Sequence, residues 1–89
     1  MSIKILISFE VRDFSEMKSV FDAAADARTE AGIAAEAYRN MDAPNNVRII
    51  CTATSKEAFT AFFSAPAQQE RMKNAGVTEA PSVTFIQAE

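Results

Sequence analysis

Ile3, Ile5, Ile7, Phe9 and Val11 alternate with Lys4, Leu6, Ser8, Glu10 and Arg12. This period of two, rich in β-branched residues, predicts a strand over 3–11 with one wholly apolar face. Such a strand needs neighbours for its backbone and a second layer over its apolar side. The chain is therefore committed to a sheet with something packed on it.

The segments that follow supply both. Asp13-Phe14-Ser15-Glu16 reads as a helix N-cap with a glutamate three residues on, and Met17, Val20, Phe21, Ala24, Ala27, Arg28 and Ala31 recur at helical spacing. Gly32 stands where a left-handed residue ends a helix, so one helix is predicted over 14–31. The acidic ladder Asp22, Asp26, Glu30 reads as its solvated face, because like charges four apart repel mildly and do not gather a metal. Ile33–Met41 predicts a second strand, Asp42-Ala43-Pro44-Asn45-Asn46 a turn, and Val47–Thr54 a third strand antiparallel to the second. Thr54-Ser55-Lys56-Glu57 matches a Thr-x-x-Glu capping box, followed by the apolar face Ala58, Phe59, Phe62, Phe63. Pro66 predicts two helical pieces, 55–64 and 66–75, meeting near Ala65. A last strand is predicted over 82–88. The order β-α-β-β-α-β over residues 1–89, without repeats or linkers, is the split βαβ of the ferredoxin-like α+β class: a single domain with one four-stranded antiparallel sheet and helices on one face.

Composition narrows the function. Nine Lys and Arg against twelve Asp and Glu give a net charge of −3, and no basic block is present, so no nucleic-acid partner is expected. No apolar run approaches the roughly 18 residues of a membrane helix, and the N-terminal apolar run breaks at Ser8 and Glu10, too soon for a secretory signal. No membrane partner and a cytoplasmic location are expected. The chain has one Cys and no His, which argues against a disulfide framework, a zinc site and a metal or haem cofactor. Cys51 falls on an apolar face and reads as an inert buried thiol. A domain this small buries only about 60–65% of its unfolded surface, so association is a natural source of further burial.

Strand parity gives the most specific expectation. Odd positions (Ile3, Ile5, Ile7, Phe9; Ile33, Ala35, Ala37; Val47, Ile49, Cys51, Ala53; Val83, Phe85) are almost all apolar and belong under the helices, with Phe14, Phe21, Phe59, Phe62 and Phe63 packed on them as core. Even positions mix apolar Leu6, Ala34, Tyr38, Ile50, Ile86 and Ala88 with polar residues. That mixture is too apolar for a bare solvent face and too polar for a second core, and it predicts a homodimer joined sheet to sheet. Ser8, Glu36, Tyr38, Arg48, Thr52 and Thr84 on this face form the candidate ligand-binding set. Tyr38 can donate to a carbonyl, Arg48 can hold a carboxylate or enolate, and Glu36 can act as a base once buried. Against this stands the reading of Tyr38, Glu36 and Arg48 as interface anchors.

The strand Ile3–Val11, the helix entry Asp13-Phe14-Ser15-Glu16-Met17, the run Arg28-Thr29-Glu30-Ala31-Gly32-Ile33, the Phe-rich second helical region, Asn74-Ala75-Gly76-Val77 and Pro81-Ser82-Val83-Thr84-Phe85 together resemble the dimeric α+β barrel superfamily, which includes the antibiotic-biosynthesis-monooxygenase-like proteins. The resemblance covers essentially the whole chain. It implies two sheets paired into a barrel, with a pocket within the barrel or between each sheet and its helices. Haem-degrading members use His or Trp near the pocket, and this chain has neither. The function expected is a ligand-binding or non-catalytic dimeric module with a small hydrophobic ligand. The alternative is a cofactor-independent monooxygenase or isomerase acting on a hydrophobic carbonyl compound.

Overall fold

The structure, a computed structural model, describes residues 3–87. Four strands, β1 (Ile3–Glu10), β2 (Ala34–Asn40), β3 (Ala43–Ala53) and β4 (Ser82–Ile86), form one antiparallel sheet in the order β2-β3-β1-β4. Four helices, α1 (Phe14–Ala23), α2 (Ala25–Glu30), α3 (Lys56–Ser64) and α4 (Pro66–Asn74), supply the layer over its odd-numbered face. This is the ferredoxin-like arrangement, with the two crossover segments each split into a pair of short helices.

The odd positions of the two central strands pair with one another. Ile5 lies opposite Cys51, Ile7 opposite Ile49 and Phe9 opposite Val47. Ile5 and Val47 are fully buried. Met17 and Phe59 come down on this surface from α1 and α3, and Phe59 stacks on Phe63 at 5.3 Å and meets Phe85 edge-on at 5.7 Å. Phe14, Phe21, Phe62 and Phe63 pack against the same core, half-buried.

Local departures from the sequence pattern have physical causes. The continuous helix expected over 14–31 is interrupted at Ala24, whose own N–H bonds the Phe21 carbonyl in a tightened turn. The Arg28 guanidinium donates to that same carbonyl at 2.8 Å, so a side chain four residues past the break stabilises it. The expected turn at Asp42–Asn46 is instead the two-residue connection Met41–Asp42, and β3 begins four residues early. The register then slips between Arg39 and Asn40, pairing Arg39 with Val47 but Asn40 with Ala43. Pro44 and Asn45 sit in this irregularity, where a missing N–H is tolerated, and Asn45 uses its carbonyl to accept from Val11 at 2.9 Å. The cap of α3 is Ser55, accepting from the Ala58 N–H at 3.0 Å, rather than Thr54. Ala65 separates α3 from α4 in an extended conformation, as the residue before Pro66 requires. The last strand ends at Ile86, while Ala88, placed on the even face by the sequence pattern, lies outside the described residues.

Gly32 and Gly76 close α2 and α4 at φ of 76° and 78°. Each stands in a Schellman motif: Ile33 and Gly32 donate to Arg28 and Thr29 carbonyls, and Val77 and Gly76 to Met72 and Lys73 carbonyls. A Cβ on Gly32 meets only Thr54 at 3.9 Å, whereas one on Gly76 lies 2.8 Å from Glu16 Oε1 and 3.0 Å from Arg12 Nε. Gly32→Ala is expected to cost about 1 kcal/mol from backbone strain alone. Gly76→Ala should cost more, because it also displaces the Arg12–Glu16 ion pair. Urea midpoints of the two variants test this, and an inverted order contradicts it.

Candidate functional site

Two surfaces compete for the site. On the even face, register places Ser82, Ser8, Arg48 and Tyr38 in one row across the sheet, and Thr84, Leu6, Ile50 and Glu36 in the next. Tyr38 and Arg48 are thus opposite neighbours, but each turns elsewhere. The Tyr38 hydroxyl donates to Glu36 Oε2 at 2.6 Å, and this bond pushes its pKa up. Arg48 Nε donates to Asn46 Oδ1 at 2.8 Å. Asn46, only 8% exposed, also accepts from Asn40 Nδ2 and donates to Glu10. Among the described residues no side-chain hydrogen bond links Ser8, Thr52 or Thr84 to these groups. Thr84 and Glu36 stand at opposite edges of the sheet, about 14 Å apart at ordinary strand spacing. Within one chain the six residues are spread over the face, and none of them lines the cavity on the opposite side of the sheet.

That cavity, of about 80 Å³ and partly open to solvent, lies between the odd-numbered sheet surface and the helices. Its floor includes Ile7, Ile49 and Cys51, and its walls include Phe21 from α1 and Phe62 and Phe63 from the α3 region. The Phe stripe is therefore core and cavity wall at once.

Three polar side chains interrupt the apolar lining: Arg28 from α2, and Gln68 and Arg71 from α4. The Arg28 guanidinium stacks over the Phe21 ring with its carbon 3.8 Å from the centroid. Arg71 Nη1 donates to Gln68 Oε1 at 3.1 Å, and its guanidinium lies 5.8 Å from the Phe62 ring. Burial lowers the Arg28 pKa, and the nearby Arg71 charge adds to the lowering, while Cys51 and Asp22 oppose it. Neither guanidinium makes an ion pair among the described residues.

The even-face selection did not include these side chains, although the sequence carries a signal for them. Arg28 falls on the inward stripe of its helix, four residues after Ala24 and seven after Phe21. Gln68 and Arg71 share a stripe with Met72 and Ala75 at i, i+3, i+4 and i+7. Polar residues on an inward stripe mark a lining that is not plain core.

Among the described residues, no group of three His, Cys, Asp or Glu is placed to hold a metal ion, and no helix is long and apolar enough to cross a membrane.

No protein-family model matches the sequence, and no curated protein matches it. Solved structures match it in fold over nearly its full length. An antibiotic-biosynthesis-monooxygenase-like protein of Bordetella bronchiseptica superposes with a TM-score of 0.86 at 18% identity, covering 99% of this chain and 97% of the other. SnoaB, a cofactor-independent oxygenase from Streptomyces nogalater, superposes at 0.79 with 20% identity, covering 99% and 93%. A further antibiotic-biosynthesis-monooxygenase-like protein, from Caulobacter crescentus, superposes at 0.76 with 15% identity, covering 99% and 90%. The fold is that of the antibiotic-biosynthesis-monooxygenase-like proteins. The α+β barrel resemblance read from the strands and helix ends is met at the level of architecture.

In this monooxygenase-like fold Cys51 sits on the cavity floor, and burial pushes its thiol up to about 11, with Arg28 opposing. At pH 8 its thiolate is about a hundred-fold scarcer than that of an ordinary cysteine, at tenfold per pKa unit. Alkylation by iodoacetamide is expected to be slower by at least that factor in the folded protein than in urea. The unfolded chain releases the thiol proton first, so stability is complete below about pH 8.5 and falls as pH rises toward 11. Cys51→Val should remove that part of the decline, up to about 2 kcal/mol, in urea melts compared at pH 8 and 10.5.

Proposed function

We propose that the protein binds a small, largely apolar molecule in the cavity between its sheet and its helices. The observation that carries this reading is a largely apolar cavity left between sheet and helices in a small domain, with charged groups set in its lining. A neutral single-ring aromatic such as benzamide is expected to perturb the backbone amide resonances of Ile49, Cys51 and Phe59. Ala35 also lines the cavity, and Ala35→Leu should abolish those shifts while the protein stays folded. Unchanged binding in that variant overturns the reading.

Cofactor-independent oxygenation is the second reading, supported by the fold shared with SnoaB. The ionisable residues of the lining are Arg28, Arg71 and Cys51, with no carboxylate among them. An oxygenation here would therefore suit a substrate acidic enough to ionise without a strong base, such as a cyclic 1,3-dicarbonyl, held as its enolate by arginine. In such a step the reacting CH₂ becomes a carbonyl: the substrate gives up four electrons, keeps one oxygen atom of O₂, and its two hydrogens leave with the other as water. Oxygen uptake that is lost in Ala35→Leu is the measurement for this reading.

The even face is assigned to a sheet-to-sheet homodimer. Leu6, Ile50, Ile86 and Tyr38 are 40–46% exposed in the single chain, and Leu6 and Ile50 face one another at the centre of the sheet. In that assembly Ser8, Glu36, Tyr38, Arg48, Thr52 and Thr84 face the partner sheet, and Tyr38 and Arg48 act as interface anchors. Sedimentation equilibrium should give twice the chain mass. Ile50→Glu should yield a folded monomer, since an unpaired buried carboxylate costs roughly 3–5 kcal/mol. A wild-type monomer over a wide concentration range overturns the assignment.

A further inference from the structure

The position of Arg28 and Arg71 says more about the ligand than the apolar lining does. Placing two guanidiniums in one half-buried wall is unfavourable unless something offsets their mutual repulsion and lost hydration. Arg28 spends one N–H on the Phe21 carbonyl and lays its plane on the Phe21 ring. Arg71 spends one on Gln68. Each guanidinium has five N–H donors, so most remain free to bind a further acceptor. The two residues come from helices of different crossovers, α2 and α4, and line the same cavity. We propose that Arg28 and Arg71 form an anion clamp, and that the cavity's ligand is an amphiphilic anion: an apolar ring system among Phe21, Phe62 and Phe63, with a carboxylate or enolate head between the two guanidiniums.

This rests on the cavity reading, and the experiment separates the two. Isothermal titration compares three single-ring probes sized to the cavity: benzoate, neutral benzamide of nearly the same shape, and the enolate of 1,3-cyclohexanedione. Amide shifts at Ile49, Cys51 and Phe59 report the location. The expected result is that at least one anion binds roughly ten- to a hundred-fold more tightly than the amide, the range of charged hydrogen bonds. Which anion gains identifies the head group as carboxylate or enolate. Arg71→Met should erase most of that advantage, weakening binding of the anion far more than that of the amide. Arg28→Lys keeps the charge but not the forked donors, and should reduce the advantage in part. It is preferred to Arg28→Met because Arg28 also holds the α1–α2 break together. Equal binding of both anions and the amide to wild type, at the cavity, overturns the clamp and leaves the cavity reading standing. An advantage that survives Arg71→Met also overturns it. Absence of cavity shifts with every probe overturns the cavity reading, and the clamp with it.

Discussion

Ile5 and Val47 are fully buried in the two central strands, and the pairing of β1 with β3 dictates most of what surrounds them. Side chains alternate strictly across a strand. A slip of β1 by one residue against β3 would turn Ile5 and Ile7 to solvent and bring Lys4 and Ser8 beneath the helices, beside the still-buried Ile49 and Cys51. Burial of the odd set therefore locks the register. The register in turn fixes which side the helices occupy, where Cys51 lies, and which residues are left on the open face.

Those parts of the fold that depend on parity and on strong local signals could be read from the residues alone. The alternation from Ile3 to Val11, the Asp13 cap, the glycines at 32 and 76 and the proline at 66 each answer to one local rule, and tertiary packing does not oppose them. The break at Ala24 was not readable, because Ala23-Ala24-Ala25 is a run of good helix formers. What marks the break is a side-chain contact with no sequence period: the Arg28 guanidinium takes up the Phe21 carbonyl. The early start of β3 was hidden for a similar reason. Pro44, Asn45 and Asn46 have turn chemistry, yet Asn46, itself buried, is drawn into a hydrogen-bonded cluster with Glu10, Asn40 and Arg48 that only the sheet brings together.

The candidate site shows the same division. Parity correctly separated two faces, and the polar set on the even face has the placement expected of it. The cavity depends instead on the gap that remains when short helices meet a twisted sheet, a quantity with no sequence period. Arg28 and Arg71 were visible as charged residues on inward stripes, but a long basic side chain usually escapes to solvent along its aliphatic stem. Here the Phe21 ring under Arg28 and the Gln68 amide beside Arg71 provide reasons to stay.

The split crossovers also bear on how anything enters. Helix α2 has six residues and no buried side chain of its own, far below the length at which a helix persists unaided. It is retained by its Schellman end at Gly32 and by Arg28 reaching back to α1. Helix α4, the other wall that carries a guanidinium, likewise has no buried side chain of its own. The cavity is already partly open to solvent, so fraying of a single turn, an event of nanoseconds to microseconds, would widen an existing mouth and require none of the strands to part. The sheet can keep its register while the contents of the cavity come and go.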